Sequence, residues 1–216
     1  MRTAAVLPVK SFSRAKQRLG EAVGSGEREE LAAAMVSDVL STLVTVPEID
    51  DVVVVTAEPV AARAAEGVGA TVVDDPDESG QSAAAARGID AALVRGADRV
   101  LLVPGDCPAL DPSELNALLA RPDEVVIVPD RHGSGTNALL LTPPTAIAPS
   151  FGAGSFARHA ALARAAGVHV KVAELPSLGL DVDTPDDLAA LRKAVEARGD
   201  TAPRTRAVLD RLVATV

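Results

Sequence analysis

Short apolar runs alternate with helix-like segments through the first part of the chain. The runs at residues 3–9, 52–56, 70–73, 100–103 and 125–128 contain almost no polar side chains, which is typical of strands buried on both faces of a parallel sheet. The segments between them are alanine-rich or repeat apolar residues at helical spacing. This alternation predicts an α/β fold, with a mostly parallel sheet and helices on both faces.

The pattern changes in the second part of the chain. The apolar runs 125–128 and 138–141 are joined by the loop 129–137, which is too short for the crossover helix that a parallel connection needs. We therefore expect the run 138–141 to be antiparallel or to bend away, which makes the sheet mixed. A further strand is expected at residues 168–173, and a helical tail at residues 198–216.

Composition narrows the functional classes. At 216 residues, of which 48% are hydrophobic, residues 1–216 can form a single domain with a full core. The net charge of −9 and the 1% of aromatic residues argue against a nucleic-acid partner, which would need basic patches and stacking side chains. No apolar stretch approaches the ~20 residues of a membrane helix. The single cysteine, Cys107, excludes an intrachain disulfide and indicates the cytoplasm.

One carboxylate stands at the end of a buried strand in mid-chain. The run Val100–Val103 stops at Pro104, and Asp106 follows two residues later. In open α/β sheets, ligands bind in the crevice beyond the carboxyl ends of the strands. Asp106 is therefore a candidate functional residue, and the alternative is that it only caps a local turn.

A pair of acids stands near the end of the chain. Asp181 and Asp183 are two residues apart, so both carboxylates point to the same face if the segment is extended. Two like charges this close are costly unless a cation compensates them, and together with Asp106 they would offer the hard oxygen ligands that Mg²⁺ prefers. The alternative is that both acids are bystanders of the helix that Thr184 caps and Pro185 opens.

Two loops are candidates for binding anions. The loop 8–20 after the first strand carries Lys10, Lys16 and Arg18, although such a run could also be a solvated surface. The segment 151–159 is a glycine-containing loop that leads into a helix N-terminus, where free backbone N–H groups attract anions. The alternative for this second loop is a flexible connector.

The chain lacks the motifs of several other chemistries, namely the Gly-x-Ser-x-Gly elbow, the Walker phosphate loop, the Gly-x-Gly-x-x-Gly turn and His-Glu-x-x-His. Its three histidines are dispersed, and none pairs in sequence with a thiol or a hydroxyl. The candidates that remain are the cationic loop 8–20, the glycine-containing loop 151–159 and the carboxylates Asp106, Asp181 and Asp183. These are the parts of metal-assisted transfer of a nucleotidyl group.

Six segments match a known family in order and spacing. They are Pro8-x-Lys10, Lys16-x-Arg18-Leu19, Pro104-Gly105-Asp106-Cys107-Pro108, Asp130-Arg131-x-Gly133-x-Gly135-Thr136-Asn137, Phe151-Gly152-x-Gly154-Ser155 and Asp181-Val182-Asp183-Thr184-Pro185. Over essentially the whole chain the sequence resembles the 2-phospho-L-lactate guanylyltransferases, the CofC and FbiD enzymes of coenzyme F420 biosynthesis. The resemblance implies the nucleotidyltransferase (GT-A-like, Rossmann-like) α/β fold. It also implies a reaction that condenses GTP with a phosphorylated C3 acid and releases pyrophosphate.

The resemblance further implies roles for the matching residues. The Mg²⁺ ions would be held by Asp106, Asp181 and Asp183. The GTP phosphates would contact Lys10, Lys16 and Arg18, and the last two would act in catalysis with Asp106. The phospho-acid would contact Thr136, Gly152 and Ser155. The nucleotide would also contact Gly80 and Ser82, where the chain departs from its relatives by having Gln81-Ser82 in place of Leu-Asn.

The implied partners are GTP and either phosphoenolpyruvate or 2-phospho-L-lactate, with 3-phosphoglycerate as a further alternative. We expect phosphoenolpyruvate, because the alanine- and arginine-rich composition suggests a high-GC, actinobacterial-type source. Assembly into a homodimer is left open. The rival functions are another nucleotidyltransferase of the same fold, of the molybdenum-cofactor or sugar-phosphate type, and a non-catalytic nucleotide-binding domain.

Overall fold

The computed structural model describes residues 1–14, 19 and 23–214. Its sheet is built from the strands β1 (Thr3–Val9), β2 (Asp51–Thr56), β3 (Thr71–Asp74), β4 (Arg99–Leu102), β5 (Val125–Pro129), β6 (Thr136–Leu141) and β7 (Val170–Val172). The α-helices of this part of the chain are α1 (Ser25–Leu43), α2 (Pro59–Gly67), α3 (Gln81–Val94), α4 (Pro112–Leu119), α5 (Ser155–Ala166), α6 (Pro176–Gly179), α7 (Pro185–Ala197) and α8 (Pro203–Ala214). None of these helices is both long enough and apolar enough to cross a membrane.

The strand order in the sheet is β3-β2-β1-β4-β6-β5-β7. Neighbouring strands are parallel except where β6 takes part, because β6 is antiparallel to both β4 and β5. The predicted mixed, mostly parallel α/β sheet is therefore confirmed, and so is the reversal at the short loop before β6. The chain switches direction of travel across the sheet between β1 and β4. Their carboxyl ends border the crevice where such sheets bind ligands.

Consecutive residues of a strand serve opposite faces of the sheet. In β1, Leu7 joins an apolar layer with α1, α2, α4 and α6, whereas its neighbour Val6 joins the layer beneath α3 and α5. Leu101 and Leu102 of β4 divide in the same way. The strands are apolar throughout because both of their faces are covered by helices.

The C-terminal helices pack on α1. Helices α7 and α8 form a third apolar cluster that includes Leu31 and Met35 of α1. The buried Asp38 of α1 accepts the backbone N–H of Thr205 at 2.8 Å and that of Arg204 at 3.3 Å, at the start of α8. The helix expected in the tail is thus fixed to the body of the molecule by a buried carboxylate.

Helix α3 lies close against the sheet at Gly88. A Cβ atom on this residue would lie 2.3 Å from Val6 Cγ1 and 2.9 Å from Val55 Cγ2, and both valines are fully buried in β1 and β2. We expect Gly88→Ala to lower the free energy of unfolding by about 1–3 kcal/mol, because the stiff valines or the helix must move. This cost opposes the gain of about 1 kcal/mol that alanine brings to a helix interior. Equilibrium unfolding in urea measures the net effect.

Gly26 in the first turn of α1 is the matched control, since a Cβ there would meet nothing within 4 Å. The Gly26→Ala variant should be as stable as the unsubstituted protein or more stable by up to about 1 kcal/mol. Equal stability of the two variants would contradict the close approach of α3 to the sheet.

Candidate active site

A cavity of about 380 Å³ opens at the carboxyl ends of β1 and β4. The predicted site residues that line it are Lys10, Gly80, Asp106, Thr136, Asp181 and Asp183. The predicted residues Ser82, Gly152 and Ser155 lie outside its lining. Lys16 and Arg18 lie outside the described residues. The cavity thus brings together the side chain of Lys10, the carboxylates of the three predicted acids and the hydroxyl of Thr136.

Asp106 lies in a loop that is packed on both sides. A Cβ atom on Gly105 would lie 3.0 Å from Val36 Cγ2, so the loop runs close against α1. Cys107, which directly follows Asp106, is fully buried, and its thiol donates to the carbonyl oxygen of Leu178 at 3.4 Å. Because Leu178 belongs to α6, this contact joins the loop of Asp106 to the segment that carries the other two acids.

Asp181 and Asp183 occupy the link between α6 and α7. Asn137, near the start of β6, donates its side-chain N–H to Asp181 Oδ1 at 3.1 Å. At the other end of the link, Asp187 accepts the backbone N–H of Asp183 at 3.0 Å and that of Thr184 at 2.7 Å. Thr184 caps α7, as the sequence predicts, and Asp187 completes the capping box. The two acids therefore lie on a short segment that is held at both ends.

Burial and the neighbouring acids destabilise the ionised form of Asp181. Burial raises the pKa of Asp181 above its ordinary value, the charge of Asp106 and to a lesser extent that of Asp183 add to this, and the hydrogen bond from Asn137 offsets only part of it. Within the described part of the chain, no three His, Cys, Asp or Glu side chains already form a group that could hold a metal ion. The donor set nonetheless fits a hard divalent cation, because a cation relieves the repulsion between such acids and prefers carboxylate oxygens.

Acids from two neighbouring loops hold the chain as it leaves β1. Ser11 donates both its N–H and its hydroxyl to Glu78 Oε1, at 2.7 and 2.6 Å, and Phe12 donates its N–H to Glu58 Oε2 at 3.0 Å. Glu78 has a φ of +40°, a left-handed conformation that is costly for a residue other than glycine. Lys10, just before these contacts, is exposed and lines the cavity. The described part of the cationic loop is thus anchored beside the cavity.

The glycine loop before α5 supports the cavity wall. Ser155 is buried, and its hydroxyl accepts the backbone N–H of Thr136 at 2.8 Å. The N–H groups of Ser155 and Phe156 donate to the carbonyl oxygens of Gly152 and Ser134. Two of the N–H groups at this helix start, which the sequence suggested would be free for an anion, are therefore used within the protein.

Gly80 and Ser82, which are predicted to contact the nucleotide in addition to the cations, differ in position. Gly80 precedes α3 with a φ of +107°, a conformation that favours glycine, and its backbone borders the cavity. The hydroxyl of Ser82 instead accepts the N–H of Phe151 at 2.8 Å, which links α3 to the glycine loop. Gly80 is therefore placed to meet a ligand in the cavity, whereas Ser82 has a structural contact.

A buried histidine orients the hydroxyl of Thr136. Nε2 of His159 accepts the N–H of Ser150 at 2.8 Å, and Nδ1 lies 2.9 Å from Thr136 Oγ1. Because Nε2 is an acceptor, the neutral ring carries its proton on Nδ1 and donates it to Thr136. The hydroxyl hydrogen of Thr136 is then directed away from the ring. Burial, with the charge of Arg158, lowers the pKa of His159 to about 4, so the ring is neutral near pH 7.

This buried ring predicts a loss of stability in acid. The folded pKa of about 4 lies below the ordinary 6.5, so the unfolded chain binds the proton more readily than the folded one. The stability that the neutral His159 contributes is fully present above pH 6.5 and is lost as the pH falls toward 4. We expect His159→Gln to remove this part of the decline, measured by urea unfolding across that range.

The exposed His169, whose side chain is 67% accessible, provides the control. His169→Gln should keep the full decline of the unsubstituted protein. Identical pH dependence in the His159 and His169 variants would mean that the buried ring does not titrate as described.

Four residues of the site are missing from the predicted set: Asn137, His159, Asp75 and Glu78. An asparagine at the start of a buried strand must find hydrogen-bond partners, and this requirement could have marked Asn137. His159 lies four residues after Ser155, and this spacing places both on one face of α5. Asp75 and Glu78 follow β3 and line the cavity, at the same edge of the sheet as the predicted acid Asp106.

Sequence comparison connects this geometry to known proteins. A family model described as guanylyl transferase CofC-like matches residues 3–198. A phosphoenolpyruvate guanylyltransferase of Conexibacter woesei is 52% identical over 219 residues, which cover 100% of this chain and 98% of the relative. A second protein of that name, from Sphaerobacter thermophilus, is 40% identical and covers 88% of this chain and 93% of its own.

Structural comparison agrees on the fold. A nucleotidyl transferase from Methanothermobacter matches with a TM-score of 0.67, over 89% of this chain and 96% of its own, at 18% sequence identity. At so low an identity the likeness shows the fold alone. The overall α/β fold of this chain is therefore shared with that nucleotidyl transferase.

Proposed function

Because the chain belongs to the family of CofC-like guanylyl transferases and is a nucleotidyltransferase, we propose that it joins GTP to phosphoenolpyruvate and releases pyrophosphate. The observation that carries this choice of substrates is the 52% identity, over the whole chain, to a relative named phosphoenolpyruvate guanylyltransferase. The cavity supports the proposal, since it combines a cation for phosphates, carboxylates for a metal ion and a hydroxyl for an acid.

The strand order suggests how the substrates lie. Lys10 follows β1, Asp106 follows β4 and Thr136 begins β6, and these three strands are adjacent in that order. We assign the GTP phosphates to the side of Lys10 and the phospho-acid to the side of Thr136. The reacting phosphorus then lies near Asp106, between the two. Lys16 and Arg18 complete the proposed phosphate site from the same loop as Lys10.

The chemistry needs no general base from the protein. A phosphate oxygen of phosphoenolpyruvate attacks the α-phosphorus of GTP, the bond to the β-phosphate breaks, and pyrophosphate leaves. The second pKa of a phosphate monoester is about 6, so the nucleophile is already ionised at neutral pH. Repulsion between two polyanions is the main obstacle, and we assign Lys10, Lys16 and Arg18 to screen it. The loops that hold both substrates in line supply much of the remaining acceleration.

We assign Asp106, Asp181 and Asp183 to hold Mg²⁺. When bound, the ion would supply positive charge against the phosphates and the departing pyrophosphate. Asn137 positions Asp181 through its 3.1 Å hydrogen bond, and the raised pKa of Asp181 supports the assignment, since these acids gain from a nearby cation.

The acceptor end of the site is built around Thr136. Its hydroxyl, which receives a hydrogen bond from neutral His159, is left to donate to the carboxylate or phosphate of the acid. Ser155 fixes the Thr136 backbone by accepting its N–H. We still predict that Gly152 and Ser155 contact the acid directly. The supporting observation is that their loop packs against Thr136.

The cellular setting rests on the sequence. The resemblance to the coenzyme F420 enzymes supports placing the product in that pathway. The single cysteine, which is free and buried, supports a reducing compartment such as the cytoplasm. The proposed site uses residues of one chain, so it does not require a homodimer.

Acceptor competition tests the proposal. The protein is given GTP and Mg²⁺ with phosphoenolpyruvate, 2-phospho-L-lactate or 3-phosphoglycerate, and pyrophosphate release is measured, with GTP alone as the control. We expect the highest kcat/KM with phosphoenolpyruvate and negligible release without an acid. A clear preference for 2-phospho-L-lactate would overturn the choice of acceptor, and no release with any acid would overturn the proposed reaction.

A further inference from the structure

The cavity contains a buried carboxylate that the proposed reaction does not use. Asp75 directly follows β3 and lines the cavity, and its side chain is only 8% exposed. Its Oδ1 atom has no hydrogen-bond partner among the residues that the structure describes. The charged nitrogen Nη2 of Arg87 lies 3.8 Å from it, which is beyond hydrogen-bond length. A buried carboxylate oxygen without a hydrogen bond costs free energy, so it indicates a donor supplied by a ligand.

The position of Asp75 points to the nucleotide. In the order β3-β2-β1-β4, the strands β3 and β4 are three spacings of about 4.8 Å apart, or about 14 Å. Lys10 follows β1 and lies between Asp75 and Asp106 in this order. If the phosphates lie along Lys10, with the α-phosphorus near Asp106, the remaining part of the nucleotide extends toward β3. That part is the nucleoside, because the acid occupies the opposite side at Thr136.

We propose that Asp75 recognises the guanine base of GTP by accepting hydrogen bonds from its N1–H and its 2-amino group. This inference rests on the proposed function, which places the nucleotide phosphates at Lys10. Guanine presents two parallel donors on that edge, and a carboxylate presents two acceptors in matching geometry. Adenine has an acceptor at N1 beside a single amino donor, so it would form one bond and repel the second oxygen.

Arg87 lies near Asp75 but leaves its carboxylate oxygens open to a ligand. Its Nη1 donates to the carbonyl oxygen of Asp74 at 2.9 Å, while Nη2 stays 3.8 Å from both Asp75 and Asp77. The guanidinium therefore supplies a countercharge near Asp75 without forming the bidentate pair that would occupy both oxygens. Asp77 shares the same cation but is 73% exposed and lies outside the cavity lining, which makes it the matched control.

Nucleotide binding without turnover is the direct test. Calorimetry measures the dissociation constants of GTP, inosine triphosphate and xanthosine triphosphate with the unsubstituted protein, Asp75→Asn and Asp77→Asn. Inosine triphosphate lacks the 2-amino group, so it should bind the unsubstituted protein about 10- to 100-fold more weakly than GTP. Asp75→Asn should lose about 10- to 100-fold in GTP affinity and gain affinity for xanthosine triphosphate, whose oxygen at C2 can accept from the asparagine amide. Asp77→Asn should match the unsubstituted protein.

Each outcome separates the two proposals. Equal binding of GTP and inosine triphosphate by the unsubstituted protein would overturn the role of Asp75 without any variant, so a folding defect cannot obscure the answer. A GTP preference that survives in folded Asp75→Asn would also overturn it. A preference that Asp75→Asn abolishes, in a protein that never releases pyrophosphate, would uphold base recognition while the proposed reaction fails. Pyrophosphate release with unchanged base preference would do the reverse.

Discussion

Asp106→Asn is expected to abolish turnover and leave the fold intact. Asparagine has nearly the shape of aspartate, so the packed loop between α1 and α6 should keep its course. The substitution removes one of the three charges assigned to Mg²⁺, at the point between the two substrates where the reacting phosphorus is proposed to lie. A loss of about 4 kcal/mol in transition-state stabilisation corresponds to a fall of about 1000-fold in kcat/KM.

The measurement is pyrophosphate release at saturating Mg²⁺, together with thermal unfolding of each variant. Asp186→Asn is the control, because Asp186 is an exposed acid that lies three residues after Asp183 and outside the cavity lining. This control should retain nearly full activity. Near-normal release by a folded Asp106→Asn variant would remove Asp106 from the metal site.

Asp181→Asn is expected to stabilise the metal-free protein. It should also suppress turnover about as strongly as Asp106→Asn does. The raised pKa means that the folded protein binds this proton more tightly than the unfolded chain does, so the ionised carboxylate costs stability at neutral pH. The unsubstituted protein should regain that stability as the pH falls through the raised pKa toward the ordinary value of 3.8. A neutral asparagine removes the cost and can still accept the hydrogen bond from Asn137. Stabilising substitutions commonly contribute about 0.5–2 kcal/mol each.

Thermal unfolding with and without Mg²⁺ measures both the stability of the metal-free protein and its stabilisation by the ion. For a chain of this size, 1 kcal/mol corresponds to about 2–4 °C in Tm, so the metal-free variant should unfold a few degrees above the unsubstituted protein. Added Mg²⁺ should raise the Tm of the unsubstituted protein, because ligands stabilise the state they bind, and should raise that of Asp181→Asn much less. A lower Tm for the metal-free variant would contradict the cost of the ionised Asp181, and an equal response to Mg²⁺ would remove Asp181 from the metal site.

The sheet could be predicted from sequence because its strands are buried on both faces and therefore read as uninterrupted apolar runs. The reversal at β6 followed from the length of one loop, since no crossover helix fits between residues 129 and 137. The four-residue helix α6 was not predicted, because a helix that short carries no periodicity. Its place is set by tertiary contacts, among them the thiol of Cys107 on Leu178.

Several of the residues that line the cavity were predicted from sequence, each by a different signal. Asp106 was predicted from its place after a buried strand, Lys10 from the cations of the loop after β1, and Asp181 and Asp183 from their spacing. Gly80 and Thr136 were predicted only from the family resemblance. The role of Ser155 differs from the prediction in its detail, because its hydroxyl holds Thr136. Hydrogen bonds of this kind join residues that are distant in the chain, so no local sequence pattern reveals them.

Analysis of the products is the most direct test of the proposed reaction. The protein is incubated with GTP, phosphoenolpyruvate and Mg²⁺, and the products are identified by mass spectrometry and phosphorus NMR. We expect one pyrophosphate for each molecule of a guanosine product in which the phosphate of phosphoenolpyruvate is joined to the α-phosphate through a phosphoanhydride bond. GTP that is bound but not consumed, or that is converted to free GMP while phosphoenolpyruvate remains intact, would contradict the proposed reaction.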